Sequence, residues 1–134
     1  AVRGEGAFLA GRRLAVREPV SPGEAILATG FSYETAKREE NARRAVRLIP
    51  RAAGFRRMGS AALDLAYVAA GRLDGFWEQG LKPWDLAAGL LLVSEAGGTV
   101  SGLPGQGEPL VSGTVIAAGP TLHSELHGAL SAEG

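Results

Sequence analysis

The stretch that most constrains this chain runs from Gly59 to Gly98, GSAALDLAYVAAGRLDGFWEQGLKPWDLAAGLLLVSEAGG. It holds two nearly unbroken apolar helical segments, 61–70 and 84–95, separated by a strand-like run from Leu73 to Trp77 that ends at Glu78. Segments apolar almost all round pack between layers of a protein, so both helices are expected to lie buried. Glu78 and Asp85 interrupt this apolar text. A carboxylate set among apolar groups costs free energy unless something pairs with it, so these two acids are the first candidates for chemistry.

Around that stretch, strand and helix signals alternate. Runs 7–9 and 13–16 read as a hairpin around Ala10-Gly11-Arg12, Pro19–Gly23 as a loop, and 25–29 as a buried strand. A helix follows over 33–48. Ala42, Ala45, Val46 and Ile49 mark its buried face by their spacing, Glu34–Arg38, Glu39–Arg43 and Glu40–Arg44 form i,i+4 pairs on the solvated side, and Pro50 stops it. Strand 55–58 leads through Gly59-Ser60 into helix 61–70, with Gly71 as its C-terminal stop. After helix 84–95 come strands 99–101 and 114–118, separated by a Gly/Pro-rich loop, and a last helix over 120–130. This order predicts an α/β fold: a layered, mostly parallel sheet with helices on both faces.

Composition narrows the function classes. The chain has 134 residues, one domain's worth, and 14 basic residues balance 14 acidic ones to a formal net charge of 0, so a nucleic-acid partner is not expected. No apolar run of about 20 residues is present, so no membrane-spanning helix is expected. The absence of cysteine excludes disulfides and thiolate metal sites, and fits a cytoplasmic location.

Position gives each candidate two readings. Asp85 stands at a helix start, where an acid complements the dipole or aims an oxygen at a divalent ion. Glu78 stands at the carboxyl end of a strand, where ligands gather in parallel α/β sheets; it also fits a surface acid. Ser60 fits an N-cap, and the N–H groups of a Gly59-Ser60-Ala61 turn also fit an anion or a hydroxyl. Arg56 and Arg57 alternate, one to each face of their strand, and either fits a phosphate or a carboxylate. His123 and His127 have i,i+4 metal-pair spacing with no third ligand beside them, on a terminus expected to be exposed. Ser32, Ser94 and Ser112 have no His–acid partners. Asp64 and Asp74 read as a helix-surface acid and a turn acid.

Taken together, Trp84-Asp85-Leu86-Ala87-Ala88-Gly89 followed by Glu95-Ala96-Gly97-Gly98, with Gly59-Ser60-Ala61-Ala62, Gly75-Phe76-Trp77-Glu78 and Arg3-Gly4-Glu5-Gly6-Ala7-Phe8, resemble the C-terminal half of the inositol monophosphatase family, Mg²⁺-dependent, lithium-sensitive phosphomonoesterases. The resemblance implies an α-β-α-β-α sugar-phosphatase fold, a polyol phosphate as substrate, commonly a homodimer, and Mg²⁺ as cofactor. By the same resemblance Asp85 is a metal ligand at the substrate site, Glu78 binds a substrate hydroxyl, and Ser60 and Ala61 line the polyol pocket. The family's other metal ligands lie in a metal-binding N-terminal half, with an Asp-Pro-x-Asp-Gly-Thr motif that these residues lack; Asp64, Asp74 and Asp85 are the only aspartates. Residues 1–134 are therefore expected to be the C-terminal α/β domain of a longer protein, inert as an isolated piece. The substrate expected is inositol 1-phosphate. The alternatives are fructose-1,6-bisphosphatase or phosphoadenosine nucleotidase activity, or a non-catalytic module for dimerisation or for binding a protein/RNA complex.

Overall fold

A computed structural model describes residues 1–19 and 21–131, so Val20 of the expected loop lies outside the described residues. The chain opens with a hairpin of β1 (Phe8–Leu9) and β2 (Arg12–Arg13). Its two turn residues, Ala10 and Gly11, have φ of 49° and 76°. Two left-handed central residues give the turn whose twist matches paired strands, and glycine at the second carries no Cβ penalty.

The main body follows as β3 (Ile26–Thr29), α1 (Thr35–Leu48), β4 (Gly54–Arg56), α2 (Ala61–Ala69), β5 (Gly75–Gln79), α3 (Pro83–Glu95), β6 (Thr99–Ser101), α4 (Pro109–Ser112), β7 (Thr114–Ala118) and α5 (Pro120–Ser131). Five strands form one sheet in the order β4-β3-β5-β7-β6. β3 pairs parallel with β4 and β5, whereas β7 pairs antiparallel with both β5 and β6. Four strands thus share a direction, and β7 alone runs against them, inserted between β5 and β6. The expected α/β sheet is present, but its pairings are mixed. The reason lies in the connection: a parallel neighbour needs a crossover of a dozen or more residues, usually a helix, and between β6 and β7 only the four-residue α4 is helical.

Alternation along the central strands sends side chains to two cores. Phe76, Val115 and Ala117 join Leu65, Val68, Leu86 and Val93 of α2 and α3 on one face. Trp77, Ile116 and Ala118 join Ala45 and Leu48 of α1 and Leu122, Leu126 and Leu130 of α5 on the other. Full burial of each large aliphatic side chain contributes roughly 1.5–3 kcal/mol, so helices are held on both faces.

Three expectations about packing change. The buried face of α1 is Asn41, Ala45 and Leu48, while Ala42 is exposed and Val46 and Ile49 are more than half exposed. The apolar spacing pointed one notch away because the innermost residue is a polar Asn. Of the three expected α1 ion pairs, Glu39–Arg43 and Glu40–Arg44 form, while Glu34 pairs with Lys37 instead. Finally, α2 and α3 are not buried between layers of this chain. They pack on each other and on the sheet, and Leu63 and Trp84 face outward at 52% and 79% exposure.

Two glycine-rich blocks acquire structural causes. Gly89 sits where α3 crosses α2: a Cβ there would lie 2.5 Å from Leu65 side-chain atoms, so only glycine allows the approach. Glu95 at the end of α3 reaches back to the N-terminus, its Oε1 accepting from Gly4 N and its Oε2 from Gly6 N, both at 2.8 Å. These bonds, with Arg13 and Arg3 nearby, hold the Glu95 carboxyl below its usual range despite some opposing desolvation.

Candidate active site

The candidate site is assembled where the C-terminal ends of β3 and β5 meet the N-terminal ends of α2 and α3. Gly59, at φ 86°, makes the turn from β4 toward α2, a conformation that suits glycine. Ser60 is the N-cap of α2: its Oγ accepts a 3.3 Å bond from Leu63 N. Ala61 is the first helical residue. Asp85 occupies the first turn of α3, where its Oδ2 accepts from Lys82 N at 2.8 Å and so closes that helix start. Among the described residues no hydrogen bond engages its Oδ1, which remains available to a ligand.

Glu78 lies within β5, opposite Val115 of β7. It projects toward the α2–α3 side because its neighbours Trp77 and Gln79 point to the α1 side. The Glu78 carboxylate packs on Gly30, just past β3, so tightly that a Cβ on Gly30 would overlap it. Its carboxyl is pushed up to about 7, first by burial, then by the negative charge of Asp64, with Arg57 opposing and Asp85 adding to the rise. Among the described residues no hydrogen bond or ion pair engages this carboxylate. A half-buried, unpaired carboxylate is a strong acceptor waiting for a donor.

Asp64 corrects the sequence reading. It is a fully buried acid, not a helix-surface one, with 1% exposure and an unpartnered Oδ1. Burial raises its carboxyl to about 6, while Arg57 pulls the other way. Arg57 thus acts on both Asp64 and Glu78, and its guanidinium also lies 3.0 Å from where a Gly59 Cβ would be. The cluster is Arg57, Asp64, Glu78 and Asp85 at the starts of α2 and α3. Sequence reasoning found Glu78, Asp85, Ser60 and Ala61 but missed Asp64 and Gly30; Asp64 stands four residues past the N-cap on the helix side that carries Leu65 and Val68, which was the available signal.

Other candidates resolve as structure. Asp74 is buried, accepting from Ile26 N at 2.7 Å and from Arg17 at 3.3 Å, and so ties the start of β5 to β3. His123 is buried rather than exposed, and its Nε2 meets Ser101 Oγ at 2.9 Å, joining α5 to β6. Burial holds its imidazole below the usual range, with the His127 charge acting in the same direction. The two rings stack with centroids 6.2 Å apart. Among the described residues no group of three His, Cys, Asp or Glu side chains could hold a metal ion. Mg²⁺ takes oxygen ligands in near-ideal octahedral geometry, so the single free oxygen of Asp85 does not by itself make a magnesium site. No helix among the described residues is long and apolar enough to cross a membrane.

Comparison with known proteins agrees with this architecture. The family model described as "Inositol monophosphatase family" matches residues 1–133. An inositol-1-monophosphatase of Rhizobium meliloti is 49% identical over 119 residues, covering 87% of this chain and 44% of that protein. The Nus factor SuhB of Escherichia coli is 50% identical over 121 residues, covering 90% of this chain and 45% of that protein. A solved inositol monophosphatase from Anabaena (Nostoc) sp. superposes with a TM-score of 0.89 at 38% identity, covering 96% of this chain and 53% of that one. The chain spans about half the length of the curated relatives it matches. With a match over nearly its whole length and the same strand and helix arrangement, the chain belongs to the inositol monophosphatase family.

Proposed function

We propose that residues 1–134 are the C-terminal α/β domain of a longer cytoplasmic phosphomonoesterase, and that this domain supplies the wall that holds the polyol of a small polyol phosphate, with inositol 1-phosphate as the first substrate to test. The observation that carries the reading is Glu78: a half-buried carboxylate without a partner among the described residues, at the carboxyl end of β5 and beside the starts of α2 and α3. Such a group binds a ligand hydroxyl well, because the acceptor is already desolvated and fixed. Ser60 and Ala61 would line the same pocket at the start of α2. Asp85 would give one oxygen to a Mg²⁺ ion whose remaining ligands come from outside these residues. When bound, such an ion activates water and stabilises the leaving oxygen.

The exposure of Leu63 on α2 and Trp84 on α3 is consistent with an N-terminal half covering these helices. The test is Mg²⁺-dependent phosphate release by the complete protein from inositol 1-phosphate, fructose 1,6-bisphosphate and 3'-phosphoadenosine nucleotide. Turnover on the first, with Asp85→Asn lowering kcat and weakening Mg²⁺ binding, is the expected result. Absence of metal-dependent release from any of the three, or unchanged kinetics in Asp85→Asn, would overturn it. The isolated chain is expected to be inert, since among the described residues only Asp85 is proposed as a metal ligand.

A second reading is favoured by the name Nus factor carried by relatives at about half identity. In it the domain serves as a binding module in a transcription complex, alone or as a homodimer. Co-purification of the complete protein with transcription factors, unaffected by Asp85→Asn, would support that role beside or instead of catalysis.

A further inference from the structure

The side of the sheet opposite the candidate pocket carries a polar network that the proposed chemistry does not use. Asn41 is 0% exposed on α1, and its carboxamide is bonded through both of its atoms. Its Nδ2 donates to the Gly30 carbonyl at 2.5 Å and to Thr29 Oγ1 at 3.0 Å, while its Oδ1 accepts from Trp77 Nε1 at 2.9 Å. Thr29 Oγ1 in turn donates to the Trp77 carbonyl at 2.7 Å, and the Trp77 ring is locked edge-on against Phe55 with centroids 5.7 Å apart. One side chain of α1 therefore ties the end of β3 to the middle of β5.

These tethers converge on the residue between them. Trp77 precedes Glu78 and is fastened by Asn41. Gln79 follows Glu78 and is fastened to the same helix, its Nε2 donating to the Lys37 carbonyl at 2.8 Å and its Oε1 accepting from Arg44. Gly30, whose carbonyl Asn41 holds, is the surface on which the Glu78 carboxylate rests. Both chain neighbours of Glu78, and its seat, are thus pinned from behind by α1. A buried carboxamide costs stability unless every group is bonded, and here the bonds sit where they set the position of one carboxylate.

We propose that Asn41 is a positioning residue for Glu78: by bonding Gly30 and Trp77 at once it fixes the distance between the Gly30 seat and the β5 backbone, and so sets where the Glu78 carboxylate meets a substrate hydroxyl. The proposal rests on the hydroxyl-binding reading of Glu78 given above. Asn41 is fully buried on the α1 side of the sheet, away from solvent and any ligand in it. Its effect travels through two strands held in register, and small misplacements of a binding group are enough to cost large factors in rate or affinity.

The test is a double-mutant cycle in the complete protein, with Asn41→Ala, Glu78→Gln and both together, read as kcat and KM on inositol 1-phosphate and on p-nitrophenyl phosphate, which lacks the polyol hydroxyls. Asn41→Ala is expected to raise KM for inositol 1-phosphate on the order of tenfold while leaving p-nitrophenyl phosphate within about twofold of wild type. Adding it to Glu78→Gln should cause no further loss. Equal losses on both esters, or losses that multiply in the double variant, would reduce Asn41 to a purely structural residue. If Asn41→Ala does not fold, Asn41→Leu, which is nearly the same size and carries no hydrogen-bonding atom, is read in the same way. If Glu78→Gln itself leaves the preference between the two esters unchanged, the hydroxyl-binding reading falls. The positioning claim then rests on the carbon-13 resonance of the Glu78 carboxyl in labelled protein, which must move in the Asn41 variant and overturns the claim if it does not.

Discussion

The carboxylate of Glu78 occupies the space that a Cβ on Gly30 would fill, so any side chain at position 30 must push the carboxylate aside. Gly30 is buried, and it lies outside the range of φ where glycine is needed for conformational reasons. Its requirement is space. Gly30→Ala should therefore displace the Glu78 carboxylate while leaving the backbone turn unstrained. In the complete protein the expected effect is a raised KM for the polyol ester with little loss of stability, because the group that must move is the end of a flexible side chain. Unchanged KM, with Glu78 in place in a crystal structure of the variant, would refute the close-contact account.

Glu78 also predicts a pH signature in stability. Its carboxyl is pushed up to about 7 in the folded chain from an ordinary value of 4.5, so the fold favours the protonated form. The folded state then holds more protons than the unfolded state between those two values. Stability accordingly falls as pH rises through this window, and the penalty is complete above it. Glu78→Gln removes the charge and should stabilise the protein at pH 8 by roughly 1–3 kcal/mol, with little gain at pH 4. Denaturant titrations at the two pH values read the difference directly. An equal change at both would show that Glu78 titrates normally.

Glu95 joins the far end of α3 to the first turn of the chain. Replacing it by Ala frees the amides of Gly4 and Gly6. Faster hydrogen exchange at those two amides, with exchange in β5 and β7 unchanged, is the expected result, because the hairpin opens locally without the sheet. Since the fold holds the Glu95 carboxyl below its ordinary value, this clasp is present above the ordinary range and is lost as pH falls through the lowered one. Retained protection of Gly4 and Gly6 in Glu95→Ala would show that other contacts hold the turn.

Gly89 tests the crossing of α2 and α3. Alanine in a helix interior normally gains about 1 kcal/mol over glycine. Here the added methyl would meet the Leu65 Cβ, which no rotamer change moves, so the helices must part. Net destabilisation of about 1–2 kcal/mol is expected in urea unfolding of Gly89→Ala. A stabilised Gly89→Ala would place the helices farther apart.

Much of this molecule was legible from local rules. The hairpin around Ala10-Gly11, the helix stop at Pro50, the N-cap at Ser60 and the first-turn acid at Asp85 each depend on a few adjacent residues, and each is where those residues place it. The α1 face was misread because periodicity weighs apolar residues, and the residue at the centre of that face is Asn41. Asp64 was misread for the same reason: an acid on a helix counts as solvent-facing until a neighbouring element covers it.

What the sequence by itself determined was the identity and order of the elements other than the short α4, which it read as loop, and the presence of two acids in an apolar frame, because hydrophobic period, caps and turn residues act over a few positions. What only the tertiary structure decided was which distant residues meet. β7 enters between β5 and β6, Gly30 comes to lie beneath Glu78, Glu95 reaches Gly4 and Gly6, and Asn41 bridges two strands. These contacts depend on sheet order and helix crossing, which are set by the summed packing of two cores rather than by any local pattern. The raised carboxyls of Asp64 and Glu78 belong to the same class, since burial and neighbouring charge exist only once the chain is folded.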